Sequence, residues 1–145
     1  KVPHAWEFIH NEIGYNYRLP NLNAALGCAQ LEQLPAKLLA KRELFSRYQA
    51  AFSEVEGVKL VSEPAQCRSN YWLQTIMLNA DQMHHRDSVL KTANEAGLMT
   101  RPVWQLLHQL IPFVNCPCMD LSTAEQLSQR LINIPSSPSF LGKVV

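Results

Sequence analysis

The stretch Glu12-Ile13-Gly14-Tyr15-Asn16-Tyr17-Arg18-Leu19-Pro20, running on into Asn21-Leu22-Asn23-Ala24-Ala25-Leu26-Gly27-Cys28-Ala29-Gln30-Leu31, carries most of the information in this 145-residue chain. Its first half reads as a binding loop. Tyr15 and Tyr17 offer flat apolar rings with polar tips, Asn16 a neutral amide, and Arg18 a planar fork of donors matched to phosphate or carboxylate. Gly14 supplies backbone freedom, and Pro20 followed by Asn21 reads as a helix entry. The second half alternates Ala24, Ala25, Gly27 and Ala29 with Leu22, Leu26 and Leu31, which suits a helix packed close to another backbone at an interface or in a crowded core. Cys28 is expected in the core there, as a small apolar residue.

Downstream, Pro35 cannot stand in a helix interior without losing a hydrogen bond, so the first helix stops near Leu34 and a second restarts with Pro35 in its first turn. Leu38, Phe45 and Phe52, joined by Tyr48 and Val55, give that helix an apolar face to about Glu54. Val58 to Val61 and Tyr71 to Leu78 read as strands around a Pro64 to Asn70 loop. Asp81 reads as the N-cap of a helix through Ala96, with Gly97 in the left-handed position after it. Leu98 to Trp104 is extended, and Pro102 argues for a sheet edge. Residues 105–121 are irregular, and Ser122-Thr123-Ala124-Glu125 reads as a capping box that opens a last helix. The expected fold class is α+β: a small, mainly antiparallel sheet covered by helices and preceded by long connecting helices. The expected division is an irregular loop segment over 1–20, connecting helices over 21–56 and a small α+β domain over 57–145.

Composition narrows the function classes. A chain that is 47% hydrophobic and 17% charged, with net charge +1, reads as a soluble globular protein with no electrostatic case for nucleic acid or an anionic membrane. No apolar run approaches a membrane span and no leader pattern is evident, so a cytoplasmic location is expected. Cys116-Pro117-Cys118 is too tightly spaced for a zinc knuckle, and Cys28, Cys67, Cys116 and Cys118 read as free thiols. Adjacent His84 and His85 would diverge on a helix, so no metal site is expected. Met77, Met83, Met99 and Met119 read as gap fillers, and Ser122 as a cap without triad partners. The chain opens on Lys1 and reads as part of something longer.

Three stretches carry a family resemblance. Gly14 to Leu31 resembles the GYNYR-(M/L)-P-x-(L/I)-x-AALG-x-x-QL signature of the pyridoxal-phosphate-dependent nucleotide-sugar aminotransferases, the DegT family. Ala96-Gly97-Leu98-Met99-Thr100-Arg101-Pro102-Val103-Trp104, then Leu107-His108, is similar to its AGI-x-TRPVW…LH segment, and Ala124 to Pro138 to its closing helix and turn. The wording is most similar to members serving nonulosonic-acid, including legionaminic-acid, or surface-polysaccharide pathways. The resemblance implies the C-terminal part of a fold-type I aminotransferase, with pyridoxal phosphate as cofactor, a 4-keto sugar nucleotide as substrate, glutamate as amino donor and a homodimer as the assembly. It also implies that the Schiff-base lysine and the acid facing the pyridine nitrogen lie upstream, so the chain alone is expected to be inactive.

By the same resemblance, Asn16 reaches the cofactor phosphate of a neighbouring subunit and Arg18 neutralises that phosphate or a donor carboxylate. Tyr17, Arg101, Trp104 and His108 are expected to face the nucleotide sugar, with His10 and Trp6 as possible additions. A structural alternative stands beside each: the loop residues pin a turn, Trp104 is core, and Arg101 is a surface ion pair. A non-catalytic dimerisation or interaction domain built on the alanine-rich helix is the competing function, and a free-standing sugar-nucleotide binder using Arg101 to His108 a weaker third.

Overall fold

The computed structural model describes residues 6–7, 10–15, 17 and 19–139. Two helices lead, α1 (Asn21–Glu32) and α2 (Leu34–Phe52), with a break at Gln33 and Pro35 in the first turn of α2, where its missing N–H has no helical partner to lose. The chain then forms β1 (Val58–Leu60), β2 (Gln74–Leu78), a six-residue 3-10 turn, α3 (Arg86–Glu95), β3 (Arg101–Pro102), two short 3-10 turns, α4 (Ser122–Ser128) and β4 (Leu131–Ile134). The four strands make one antiparallel sheet in the order β1-β2-β4-β3. The fold class is therefore the expected one, and Pro102 lies on an edge strand, where a missing N–H costs no ladder bond.

Strand alternation and register assign the faces. Ile76 lies opposite Ile132 and Gln74 opposite Ile134, so with Leu78 they share one face. That face packs on Leu90 of α3 and on half-buried Tyr48, Phe52, Val58, Leu60 and Val89. Leu90 and Ile132 have no solvent exposure at all. Tyr48 adds a hydrogen bond from its hydroxyl to the Pro135 carbonyl, 2.9 Å away, fastening α2 to the end of β4. Gln74 is also buried; its amide donates to the Lys41 carbonyl at 3.3 Å, and its Oε1 has no partner among the described residues.

Several local expectations are corrected. β4 was expected as part of a closing helix and turn; it is instead a central strand, because its partners lie on β2 and β3, far away in sequence. The helix expected from Asp81 begins only at Arg86, after a 3-10 turn over Ala80–His85, and Asn79 flanks that turn. Within the turn the His84 and His85 rings lie 3.9 Å apart and do not diverge, although 3-10 spacing sets adjacent residues about 120° apart around the axis. Ser122 does not cap: its N–H and hydroxyl both donate to the Asp120 carboxylate, at 3.1 and 3.0 Å, and Leu121 occupies the N-cap. Those two bonds hold the Asp120 carboxyl below its ordinary value. Met99 and Met119 are well exposed and fill no gap.

The largest correction concerns α1. None of its residues is buried, Cys28 is exposed, and Leu22, Leu26 and Leu31 all face solvent. The close packing that its small residues invite is thus not made within the described part of this chain. Leu22→Gln with Leu26→Gln is accordingly expected to leave the melting temperature of the chain within a degree or two and to reduce its self-association, checked by calorimetry and sedimentation. A marked loss of melting temperature would contradict the exposed position of α1.

Candidate functional site

The C-terminal end of α3 sets the geometry of the first group of expected site residues. Gly97 adopts φ +79°, and the Gly97 and Leu98 N–H groups donate to the carbonyls of Asn94 and Ala93, closing a Schellman turn. The Asn94 amide then lies 2.9 Å from both the carbonyl and the hydroxyl of buried Thr100. This anchors the chain just before β3. Arg101 leaves that anchor opposite Asn133, whose Oδ1 accepts a 2.9 Å bond from the Thr75 hydroxyl. The Arg101 guanidinium stands 5.4 Å over the ring of Trp104, within cation–π range.

Trp104 is 51% exposed, so the reading that makes it core is overturned. Its ring lies 5.9 Å from that of Trp72, tilted by 37°. Two neighbouring cavities flank this group, of about 270 and 420 Å³, and Trp6 lines both. The structure thus brings Trp6, Arg101 and Trp104 together. A larger hollow, about 1100 Å³, runs along the α2–β1 turn and contains none of the expected site residues. Its wall carries Phe45, Phe52 and Lys59 but neither tryptophan nor arginine.

His108 is placed apart. Beyond Trp104 the chain winds through the 3-10 turns Leu107–Gln109 and Ile111–Phe113, and His108 Nε2 ends 3.2 Å from Glu125 Oε1. Glu125, expected to close a capping box, is used to hold this imidazole. His108 lines a separate cavity of about 450 Å³ with Phe113, Cys116, Cys118 and Leu121. Among the described residues no three His, Cys, Asp or Glu side chains converge as a metal site would require.

Tyr15 and Tyr17 are 76% and 87% exposed and stack on each other with centroids 6.0 Å apart. Asn16 and Arg18 lie outside the described residues. Their residue types suit a phosphate group, while the exposed tyrosines beside them form no enclosed cradle, so the loop fits one wall of such a site. The described lysines are engaged elsewhere or exposed. Lys37 bonds the Gln30 side chain, Lys91 lies 3.9 Å from Glu95, and Lys59 is exposed. Lys41 donates to the carbonyls of Trp72 and Ser136 at 3.2 and 2.8 Å, and burial pulls its pKa below the ordinary value.

Trp72 was missed by the sequence reading, which ran a strand from Tyr71. The strand begins only at Gln74, and Tyr71 takes a positive φ of 46°. Arg42 organises this turn: it makes two bonds to the Glu63 carboxylate, at 3.0 and 2.9 Å, and one of 2.7 Å to the Ser69 carbonyl, and lies 5.3 Å over the Tyr71 ring. Glu63 also accepts the Ser69 N–H. The Arg42 guanidinium, then the Ser69 amide, hold the Glu63 carboxyl below its ordinary value of 4.5. A carboxyl lowered on folding contributes stability that is present above its unfolded value and lost as pH falls through the folded value. Glu63→Gln should therefore lower the urea midpoint at neutral pH and narrow its difference from the parent as the solution is acidified through and below pH 4.5. A difference that stays constant across that window would show that the ion pair contributes nothing.

The DegT/DnrJ/EryC1/StrS aminotransferase family matches residues 2–145, and the chain belongs to that family. EpsN of Bacillus subtilis strain 168 is 39% identical over 72% of this chain and 26% of its own length. The GDP-perosamine synthase of Escherichia coli O157:H7 is 31% identical over 96% of this chain and 37% of its own. Among solved structures, Helicobacter pylori PseC, an aminotransferase involved in the biosynthesis of pseudoaminic acid, superposes with a TM-score of 0.79 at 20% identity, covering 92% of this chain and 36% of that one. The chain therefore spans about a quarter to a little over a third of the proteins it matches. At that identity the structural likeness speaks for the fold. The small antiparallel sheet with its helices thus matches the fold of part of that solved aminotransferase. Among the described residues, no helix is long and apolar enough to cross a membrane.

Proposed function

We propose that this chain is the C-terminal part of a pyridoxal-phosphate-dependent aminotransferase that acts in the cytoplasm as a homodimer and transfers an amino group, from glutamate, to a 4-keto sugar nucleotide for bacterial surface-glycan synthesis. The observation that carries the reading is the family match over residues 2–145, joined to the exposed rings of Tyr15 and Tyr17 in the GYNYR motif. In this division, 1–20 carries the loop, 21–56 the connecting helices and 57–145 the small domain. The lower part of α2 is shared with that domain through Tyr48 and Phe52.

When bound, pyridoxal phosphate supplies the electron sink that lets an amino group pass between carbon skeletons. The residues of this chain serve binding. Asn16 donates its amide to the cofactor phosphate of the neighbouring subunit, and Arg18 neutralises that phosphate or the donor carboxylate. Tyr17, Arg101 and Trp104 hold the nucleotide sugar, Arg101 at the diphosphate and Trp104 by stacking. His108, oriented by Glu125, contributes a proton donor from the adjoining cavity. The cofactor-bearing lysine comes from outside these residues, so the chain by itself is inactive. Exposed α1 supports a dimer contact, since its leucines find no cover among the described residues.

The test is an absorbance scan of the intact protein expressed with pyridoxal phosphate, beside this chain alone. A visible band that borohydride abolishes, present in the intact protein only, is the expected result. With no band in either, exposed α1 favours the second reading, a non-catalytic dimerisation or interaction domain.

A further inference from the structure

We propose that Trp72 belongs to the nucleotide-sugar site, forming with Trp104 an aromatic platform on which the nucleobase lies flat. The proposal rests on the nucleotide-sugar reading above and names the part of the substrate that this corner of the domain takes.

The local build argues for it. Trp72 is 59% exposed and Trp104 51%, an unusual outlay of large aromatic surface on a chain with three tryptophans. Trp72 is also held from several sides. Its N–H donates to Asn70 Oδ1 at 2.9 Å and its carbonyl accepts from Lys41 at 3.2 Å. The preceding residue, Tyr71, is buried against Phe45 with ring centroids 4.1 Å apart, and its N–H donates to Ser69 Oγ at 3.0 Å. Tyr71 sits at φ 46°, a left-handed conformation that a side-chain-bearing residue rarely adopts. Backbone in such a state persists where its surroundings over-determine it, and ligand sites are where it concentrates. Burying Tyr71 in this conformation sends Trp72 outward beside Trp104.

The geometry of the platform sets where a base can lie. Two rings with centroids 5.9 Å apart and tilted by 37° leave no slot between them, since a flat ring sandwiched at contact distance on both sides needs about 7 Å. The ligand ring therefore lies on the outer side of the pair. Arg101, 5.4 Å over Trp104, sets a cation beside the aromatic surface, and a base followed by a diphosphate presents groups in that order. Stacking tolerates any base, so the platform favours nucleotide-linked over free sugar.

The experiment uses the intact, cofactor-loaded protein and measures the affinity of GDP, UDP and dTDP by calorimetry. For whichever the parent binds most tightly, Trp72→Ala is expected to weaken binding about 5- to 100-fold, the range of one base–aromatic stack. Trp72→Phe should lose much less, and the KM for the amino donor should stay unchanged in both. Unchanged nucleotide affinity in Trp72→Ala overturns the proposal, as does an equal loss in Trp72→Phe, or a fall in melting temperature without a fall in affinity. A parent protein with no borohydride-sensitive band and no affinity for any of the three nucleotides is a different failure. It overturns the aminotransferase reading itself and this proposal with it.

Discussion

Ile132→Ala is expected to destabilise the protein by about 2–5 kcal/mol, a large share of the stability of a domain this size. Ile132 is fully buried at the centre of β4, with Ile76 opposite it on β2 and Pro102 opposite it on β3. Removing three carbons there loses their transfer free energy and leaves a cavity between the sheet and Leu90 that neighbours on two strands and a helix cannot all close. The measurement is the urea midpoint, with Ile132→Val as a milder variant that should cost about 0.5–1.5 kcal/mol and remain folded. Leu26→Ala is the control, expected within about 0.5 kcal/mol of the parent because α1 buries nothing. Equal effects at the two sites would mean that β4 is not the centre of the sheet.

In the intact protein, Asn16→Ala is expected to weaken retention of pyridoxal phosphate roughly 10- to 100-fold, the worth of one hydrogen bond to a charged acceptor. His108→Ala should leave cofactor retention alone and act on nucleotide-sugar affinity. The contrast follows from placement and residue type. His108 lies beyond the β3 turn, against Glu125, whereas Asn16 belongs to the loop whose neighbours Tyr15 and Tyr17 point into solvent. Dialysis against cofactor-free buffer, followed by the visible band, reads the first effect, and substrate titration the second. If both variants lose cofactor and substrate affinity alike, the two assigned roles are wrong.

Local chemistry made much of the fold legible. Pro35 forces the break between α1 and α2, Gly97 takes the left-handed turn after α3, and Pro102 falls on an edge. Each is a backbone constraint acting over two or three residues, which a sequence displays directly. β4 was not legible. Leu131-Ile132-Asn133-Ile134 follows a helix with neither Gly nor Pro between them, and only pairing with β2 and β3 makes it a strand. The capping box failed for a related reason: Asp120 reached Ser122 first, and Glu125 found a histidine 17 residues away.

The candidate site divides in the same way. The family resemblance pointed to Arg101 and Trp104, since both stand in one contiguous motif, Thr100-Arg101-Pro102-Val103-Trp104. Trp72 had no such signal. It joins Trp104 only because the sheet order sets β4 between β2 and β3, and because Arg42 and Phe45 of α2 trap Tyr71 in a left-handed turn. By itself, then, the sequence determined the family, the antiparallel α+β class and the loop whose residue types suit a phosphate, all of them carried by short contiguous motifs. Tertiary structure alone decided that β4 is central, that α1 stands uncovered and that Trp72 meets Trp104 while His108 faces elsewhere. Those are outcomes of packing between residues remote in the chain, where the energy lies in which surfaces meet.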